Sequence, residues 1–272
     1  MESQNQEKTP PSSGATPSRV NVTDVVDIVI ALAVIVGGWQ TVYWLKVYPP
    51  YLLPSPMTTL GTFVALVQNG ILPDAIFTTG YRLAAGFALV MLIGVSVGVL
   101  MVKFKRFGRT MASFSLGLQS FPAIAWVPFA ILIIGLNDYG IIFVVVMSST
   151  FSVMLSTYAG LRNIPPIYMK SARNMGARRF SLLTGVMFPA AMPSMITGIR
   201  QAWSFAWHAV IGAEILMASV GLGAILYFGS EFVRMDQIIA SMITIFVIGF
   251  AIDRLVFYRL DRSVRSKRGL AP

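Results

Sequence analysis

Residues 161–200, LRNIPPIYMKSARNMGARRFSLLTGVMFPAAMPSMITGIR, interrupt a chain that is otherwise dominated by long apolar stretches. The segment holds Arg162, Lys170, Arg173, Arg178 and Arg179, a glycine at 176, and Pro189 and Pro193 at the entrance to the next apolar stretch. Pro166 suits the first turn of a helix, where its missing N–H would have had no intrahelical partner. Gly176 suits a helix end, where a left-handed turn is cheap only for glycine. The spacing therefore predicts a short surface helix over 166–175, with Ile167, Tyr168 and Met175 as apolar knobs. Pro189 and Pro193 each remove a helix hydrogen bond and restrict the residue before them, so a break is expected ahead of the following span. A membrane chain has little use for such an interruption unless a soluble partner grips it.

The surrounding composition is that of an integral membrane protein. Hydrophobic residues fill 56% of 272 positions, charged ones only 12%, and the mean hydropathy is +0.72. A soluble domain of this size needs more charge to cover its surface. Stretches able to cross about 30 Å of hydrocarbon fall at 24–45, 78–102, 112–135, 138–159, 194–217 and 238–257. The third and fourth are divided only by Gly135-Leu136-Asn137-Asp138, and 56–72 reads as a short amphipathic or re-entrant piece. The first 23 residues are polar and rich in Ser, Pro, Gln and Thr, the composition of a disordered tail. A membrane-spanning region over 24–258 follows, then a basic tail over 259–272.

The formal charge of +10 is a matter of placement. Sixteen of the 21 Lys and Arg residues lie in the two tails, in the turn 103–109 and in the loop 161–193. Such a bias puts those segments, and both termini, in the cytoplasm. No basic-aromatic interleaving or soluble domain supports a nucleic-acid partner. The chain has no cysteine and one histidine, which excludes disulfides and thiolate chemistry and argues against a metal centre. It lacks a GxxxxGK[ST] loop and so does not hydrolyse ATP by itself.

Ala172, Gly176, Val186, Phe188 and Pro189 stand in an order that resembles the cytoplasmic loop of ABC importer permeases. That pattern is Glu-Ala-Ala, three residues, Gly, nine residues, Ile, one residue, Leu-Pro. Lys170 and Ser171 replace its first two members here. Leu53-Pro54-Ser55-Pro56, Thr79 to Phe87, Phe121 to Pro128, and Thr197 to Arg200 with Trp207 and Glu214 are similar to elements of nitrate/sulfonate/taurine-type permeases. The resemblance extends over about 50–258.

It implies an all-α, polytopic protein with six transmembrane helices and the type I ABC importer permease fold, in a bacterial inner membrane. The implied partners are a second copy of the chain, two ATP-binding subunits that hydrolyse ATP with Mg, and an extracytoplasmic solute-binding protein. No cofactor is expected on this chain. The cargo implied is a small anion such as an alkanesulfonate, taurine or nitrate. Carried onto this sequence, the ATPase-coupling residues are Pro166, Ile167, Tyr168, Ser171, Ala172, Met175, Gly176 and Ala177. Pro189, Pro193 and Gly198 are the expected hinge.

Helical angles of about 100° per residue place Arg200, Trp203, Ser204, Trp207, Ile211 and Glu214 on one face of the fifth span, with His208 on its flank. Ionisable groups in a span face protein or water rather than lipid. Trp126, Ser204, Trp207, His208 and Glu214 are accordingly the expected translocation path, the rival for Glu214 and Arg200 being a structural polar clamp. Arg82 is expected to bridge neighbouring loops, and Asp253 and Arg254 to anchor the sixth span at the membrane interface. Gly86, Gly94 and Gly98 have the small-residue spacing of a close helix contact. An ion-gradient-driven transporter would show an internal repeat and paired intramembrane carboxylates. A membrane enzyme would gather acid, base or metal ligands at one depth. Neither pattern is evident.

Overall fold

A computed structural model describes residues 22–266, so most of the expected tail 1–23 and the end of the basic tail lie outside it. Among the described residues every regular element is helical. Helix α1 (Val22–Trp44) stands apart, with none of its most apolar window buried in the chain, and the Trp39 indole N–H holds its end to the Pro54 carbonyl at 2.9 Å. The stretch expected to be short and amphipathic is α2 (Pro56–Gln68). Ser55 caps it by accepting from the Thr58 N–H at 3.0 Å.

Helix α3 (Ile71–Lys103) turns sharply at Phe104 into α4 (Lys105–Gln119). The third expected span is not one helix. After α4 the chain makes a 3-10 turn at Ala123–Ala125 and continues as α5 (Trp126–Ile133), bent by 93°. Pro122 accounts for the break: it has no N–H to donate and drives Phe121 out of helical conformation.

Helix α6 (Asp138–Arg162) begins where Asn137 accepts from the Gly140 N–H at 3.1 Å, and it is the centre of the bundle, with 61% of its apolar window buried. It is followed by α7 (Pro166–Asn174), α8 (Arg179–Leu182), a π-turn at Leu183–Met187 and α9 (Phe188–Leu216). The break expected at Pro189 and Pro193 is absent. One helix runs from Phe180 to Leu216, and Pro193 lies inside it. The π-turn explains this continuity. The Phe188 N–H reaches back to the Leu183 carbonyl, and this wider turn relieves the clash that Pro189 would otherwise make one turn behind. Helix α10 (Leu222–Glu231) folds back, and α11 (Met235–Ile252) continues through a second π-turn, Asp253–Phe257, into α12 (Tyr258–Ser266). Thr62 on α2 donates to Asp236 at the start of α11 at 2.6 Å. Among the described residues, five helices are each long and apolar enough to cross a membrane, and the bent pair makes six if counted as one span.

Glycine sets the two main seams. A Cβ on Gly86, Gly94 or Gly98 of α3 would meet Val145, Val153 or Thr157 of α6 at under 3 Å. Gly198 of α9 is held equally close to Ser156, and its carbonyl accepts from the Ser152 hydroxyl at 3.1 Å. Gly198, expected at a hinge, is thus also a point of close helix packing.

At the end of the bundle opposite α7, charge is sealed inside. Glu214 is 0% exposed and Arg82 3%. Arg82 donates to Glu214 Oε1 at 2.9 Å, to Asp138 Oδ1 at 2.6 Å, to the Ser219 hydroxyl at 2.9 Å and to the Val220 carbonyl. Thr79 donates to the Glu214 carboxylate at 2.9 Å and accepts the Leu222 N–H, while the Gly223 N–H reaches Oε2 at 3.0 Å. The first N–H groups of α10 thus find partners that a helix start otherwise lacks. Gly221 is required there: its φ of +151° and a Cβ position 2.3 Å from the carboxylate admit no side chain.

Replacing Gly98 by Val should push α3 off α6 and destabilise the fold by about 1–3 kcal/mol. Gly117→Ala, with nothing within 4 Å, should be neutral or stabilise by up to about 1 kcal/mol; tryptophan fluorescence during detergent-induced unfolding reads both. In the same assay, Arg82→Met and Glu214→Leu should each cost about 3 kcal/mol by stranding a buried charge. The double variant should cost clearly less than the sum. Simple additivity would mean that the two charges are not coupled.

Candidate translocation path and coupling surface

Two surfaces gather most of the sequence-selected residues. The first is a groove of about 650 Å³ between α9 and α11. Trp203, Ser204, Trp207 and His208 line it from α9, and Met242, Phe246 and Phe250 from α11. Gly249 lets the Trp207 indole lie against α11, since a Cβ there would stand 2.9 Å from Nε1. The His208 ring nitrogen Nδ1 lies 2.7 Å from the Ser204 carbonyl, so the two groups expected on the path share one exposed face of α9. Thr197, Arg200 and Gln201 extend this exposed polar stripe toward the α7 end. Polar side chains in mid-span face water or protein rather than lipid.

Two expected path residues are elsewhere. Glu214 shares the helical face but lies beyond the groove, because α10 folds over that end of α9 and encloses its carboxylate. It sits in the buried polar cluster with Arg82 and Thr79 and does not line the groove. Trp126 sits at the start of α5, half-buried between Phe121 and Phe129 at ring-centroid distances of 5.4 and 6.1 Å, and does not line the groove. Helical angles cannot see either outcome, since both depend on neighbouring elements.

Sequence reasoning missed the partner of Arg200. Its Nε and Nη2 donate to the two oxygens of Asp253 at 2.7 and 2.6 Å. Asp253 lines the groove and opens the second π-turn. Beside it, Trp203 meets Phe257 at 5.5 Å and Phe87 at 5.3 Å, tying α9, the π-turn and α3 together. No local signal links residues 53 positions apart; the only hint was an arginine and an aspartate at matching depths in two spans.

The second surface is α7. Pro166 occupies its first turn, and the helix ends in a Schellman motif: the Ala177 N–H bonds the Ala172 carbonyl at 2.9 Å and the Gly176 N–H the Arg173 carbonyl at 3.0 Å. Gly176 has φ +85°, as that motif demands. Ile167, Tyr168, Ser171 and Met175 form one exposed face, and Met175 is 86% exposed. Pro166 and Gly176 are exposed at its two ends, and Ala177 is half-buried. Ala172 departs from the expected contact set: it is buried, and Met169 beside it packs α7 against the small core of Leu161, Ile164, Ala191 and Met195. Phe180, exposed just beyond the helix, adds an apolar knob that the sequence pattern had not singled out.

The fold is shared with solved transporters. A chain from an inward-facing structure of the MetNI methionine ABC transporter superposes with a TM-score of 0.60 at 19% identity, covering 72% of this chain and 97% of that one. A Bacillus subtilis protein named as an aliphatic sulfonates transport permease is 29% identical over 224 residues, 82% of this chain and 81% of its own. A nitrate import permease of a Synechocystis species is 25% identical over 243 residues, 86% and 87% of the two chains. Residues 90–266 match the family model described as the binding-protein-dependent transport system inner membrane component. With that match over more than half its length, the chain belongs to this family and is the membrane-spanning permease subunit of an ABC importer.

Proposed function

We propose that two copies of this chain pair to form the path of an importer for a small anion, an organosulfonate, taurine, nitrate or a similar solute. Two ATP-binding subunits dock on α7 and an extracytoplasmic binding protein delivers the cargo. The path runs along the α9–α11 groove, past Ser204, Trp207 and His208. The anionic cargo rests on the named relatives, which share most of their length with this chain. Lys and Arg crowding at the α7 end supports a cytoplasmic placement of that end and of both termini.

The observation that carries the coupling assignment is the exposed apolar face of α7. Ile167, Tyr168 and Met175 project from a helix that starts with Pro166 in its first turn, ends in a Schellman turn and packs from behind through Met169. A monomer gains nothing by presenting such a face beside basic residues, whereas a groove on a soluble ATPase would bury it. Push on α7 passes through the π-turn at Leu183–Met187 into α9, which carries it past Pro189 and Pro193 as one continuous helix. ATP and Mg are bound and consumed by the partner, with the two states of the path selected by closure of the ATPase pair.

Affinity purification of the full chain expressed with its ATPase tests this. Met175→Asp, a change at a side chain that the fold does not use, should lower recovery of the ATPase at least about tenfold by placing a charge in an apolar contact. Gly176→Val should do the same by straining the left-handed turn, with the chain still found in the membrane. Undiminished ATPase recovery with both variants, or uptake without ATP, would overturn the assignment.

A further inference from the structure

The groove has one carboxylate among its described lining residues, Asp253, and one other titratable side chain, His208. Asp253 is engaged by Arg200 in a two-pronged fork, with both distances at or below 2.7 Å. This pair is unlike the sealed one at the other end of α9. Arg200 is 44% and Asp253 36% exposed. Exposed pairs contribute little to stability because solvent screens them and ordering two side chains costs entropy. A charged pair with one member, Asp253, lining a mostly apolar groove and the other, Arg200, beside it therefore needs an account other than holding the fold.

Their position supplies one. Arg200 lies sixteen residues before the end of α9 at Leu216, and Asp253 eighteen after the start of α11 at Met235. At about 1.5 Å per residue, both stand roughly 24–27 Å from the opposite end of the bundle. That places the pair at the inner mouth of the groove, one turn beyond Ser204. The bond also crosses from α9 to a π-turn, a place where helical hydrogen bonding is already loosened. Two parallel N–H donors of a guanidinium fit a carboxylate, and they fit any small oxyanion with two oxygens on one edge in the same way. Asp253 thus occupies the position that an anionic solute would take.

We propose that Arg200 and Asp253 form a charge filter at the inner end of the path, in which Asp253 covers the guanidinium until a small oxyanion takes its place. The inference rests on the groove being the path. While paired, the two groups present almost no net charge to the groove. When α9 and the π-turn separate, Arg200 is the station for an anion leaving inward, and Asp253 repels anions that would return. A cation finds Asp253 already neutralised and gains nothing. Arg200 is in this sense a specificity-determining residue for the transport step.

The chain has no cysteine, so Ser204→Cys gives one thiol facing the groove. In membrane vesicles holding the full chain assembled with its ATP-binding partner, labelling rates would be compared for two reagents of similar size. These are the anionic 2-sulfonatoethyl and the cationic 2-(trimethylammonium)ethyl methanethiosulfonates. Asp253→Asn should raise the anionic-to-cationic rate ratio about tenfold, and Arg200→Gln should lower it about tenfold, from a change of one unit charge near the thiol, with Asp261 and Arg254 unchanged in both variants. A purely structural pair would shift both ratios in the same direction, because both variants break the same bond. The exchanged pair Arg200→Asp/Asp253→Arg should return the ratio to that of Ser204→Cys alone. Ratios that stay within twofold of that parent, or that move together, overturn the filter while leaving the path intact. A thiol that reacts with neither reagent overturns the path reading and the filter with it.

Discussion

Arg82 and Glu214 meet at 2.9 Å with no access to water, and the arrangement of the bundle depends on that contact. A charge in an apolar interior is tolerated only when its partners are complete. Completing them takes α3, through Thr79 and Arg82, the first residue of α6, the far end of α9 and the first turn of α10. Four elements converge on one carboxylate and its guanidinium. Because α10 must fold back to supply the Gly223 N–H, it closes over that end of α9. The groove between α9 and α11 can open only below the closure.

The same chemistry appears at the other end of α9 with the opposite exposure. Arg200 and Asp253 are bonded at least as closely as Arg82 and Glu214, yet both remain exposed. Sealing gives the first pair its strength, since loss of either member strands a charge. Exposure lets the second pair exchange partners at small cost, since water can take the place of either member. One end of the helix is therefore pinned and the other can be released, an asymmetry that a path with one moving gate requires.

The spans were legible because hydropathy over twenty residues reports burial in hydrocarbon directly. Span ends were less so. The helix through Pro193 begins at Phe180 rather than 194, since a helix can continue into water where hydropathy no longer marks it. The short helix 166–174 and the turn at Gly176 could be read because proline and glycine act through their own backbones. The break in the third span was not legible from hydropathy, since its 93° bend depends on what packs on either side. Glu214 shows the limit most plainly. Its helical angle matched Ser204 and Trp207, and only α10, which is remote from any local pattern, put it in a clamp instead of the groove. Arg200 with Asp253, and Arg82 with Glu214, are pairings over long separations that one sequence cannot reveal.

The π-turns and the prolines together bear on how motion would travel in the proposed cycle. A proline break ahead of α9 would absorb a push on α7 by bending. The π-turn does the reverse: it accommodates Pro189 without interrupting the helix, so displacement at α8 is carried along a single rod to Arg200 and beyond. The far end of that rod cannot follow freely, because Glu214 is locked to Arg82. A rod driven at one end and pinned at the other swings, and the largest relative displacement falls near the driven end. There α9 meets the second π-turn through Arg200–Asp253 and Trp203–Phe257. Geometry thus concentrates the separation of the groove walls at the mouth where the exposed ion pair stands.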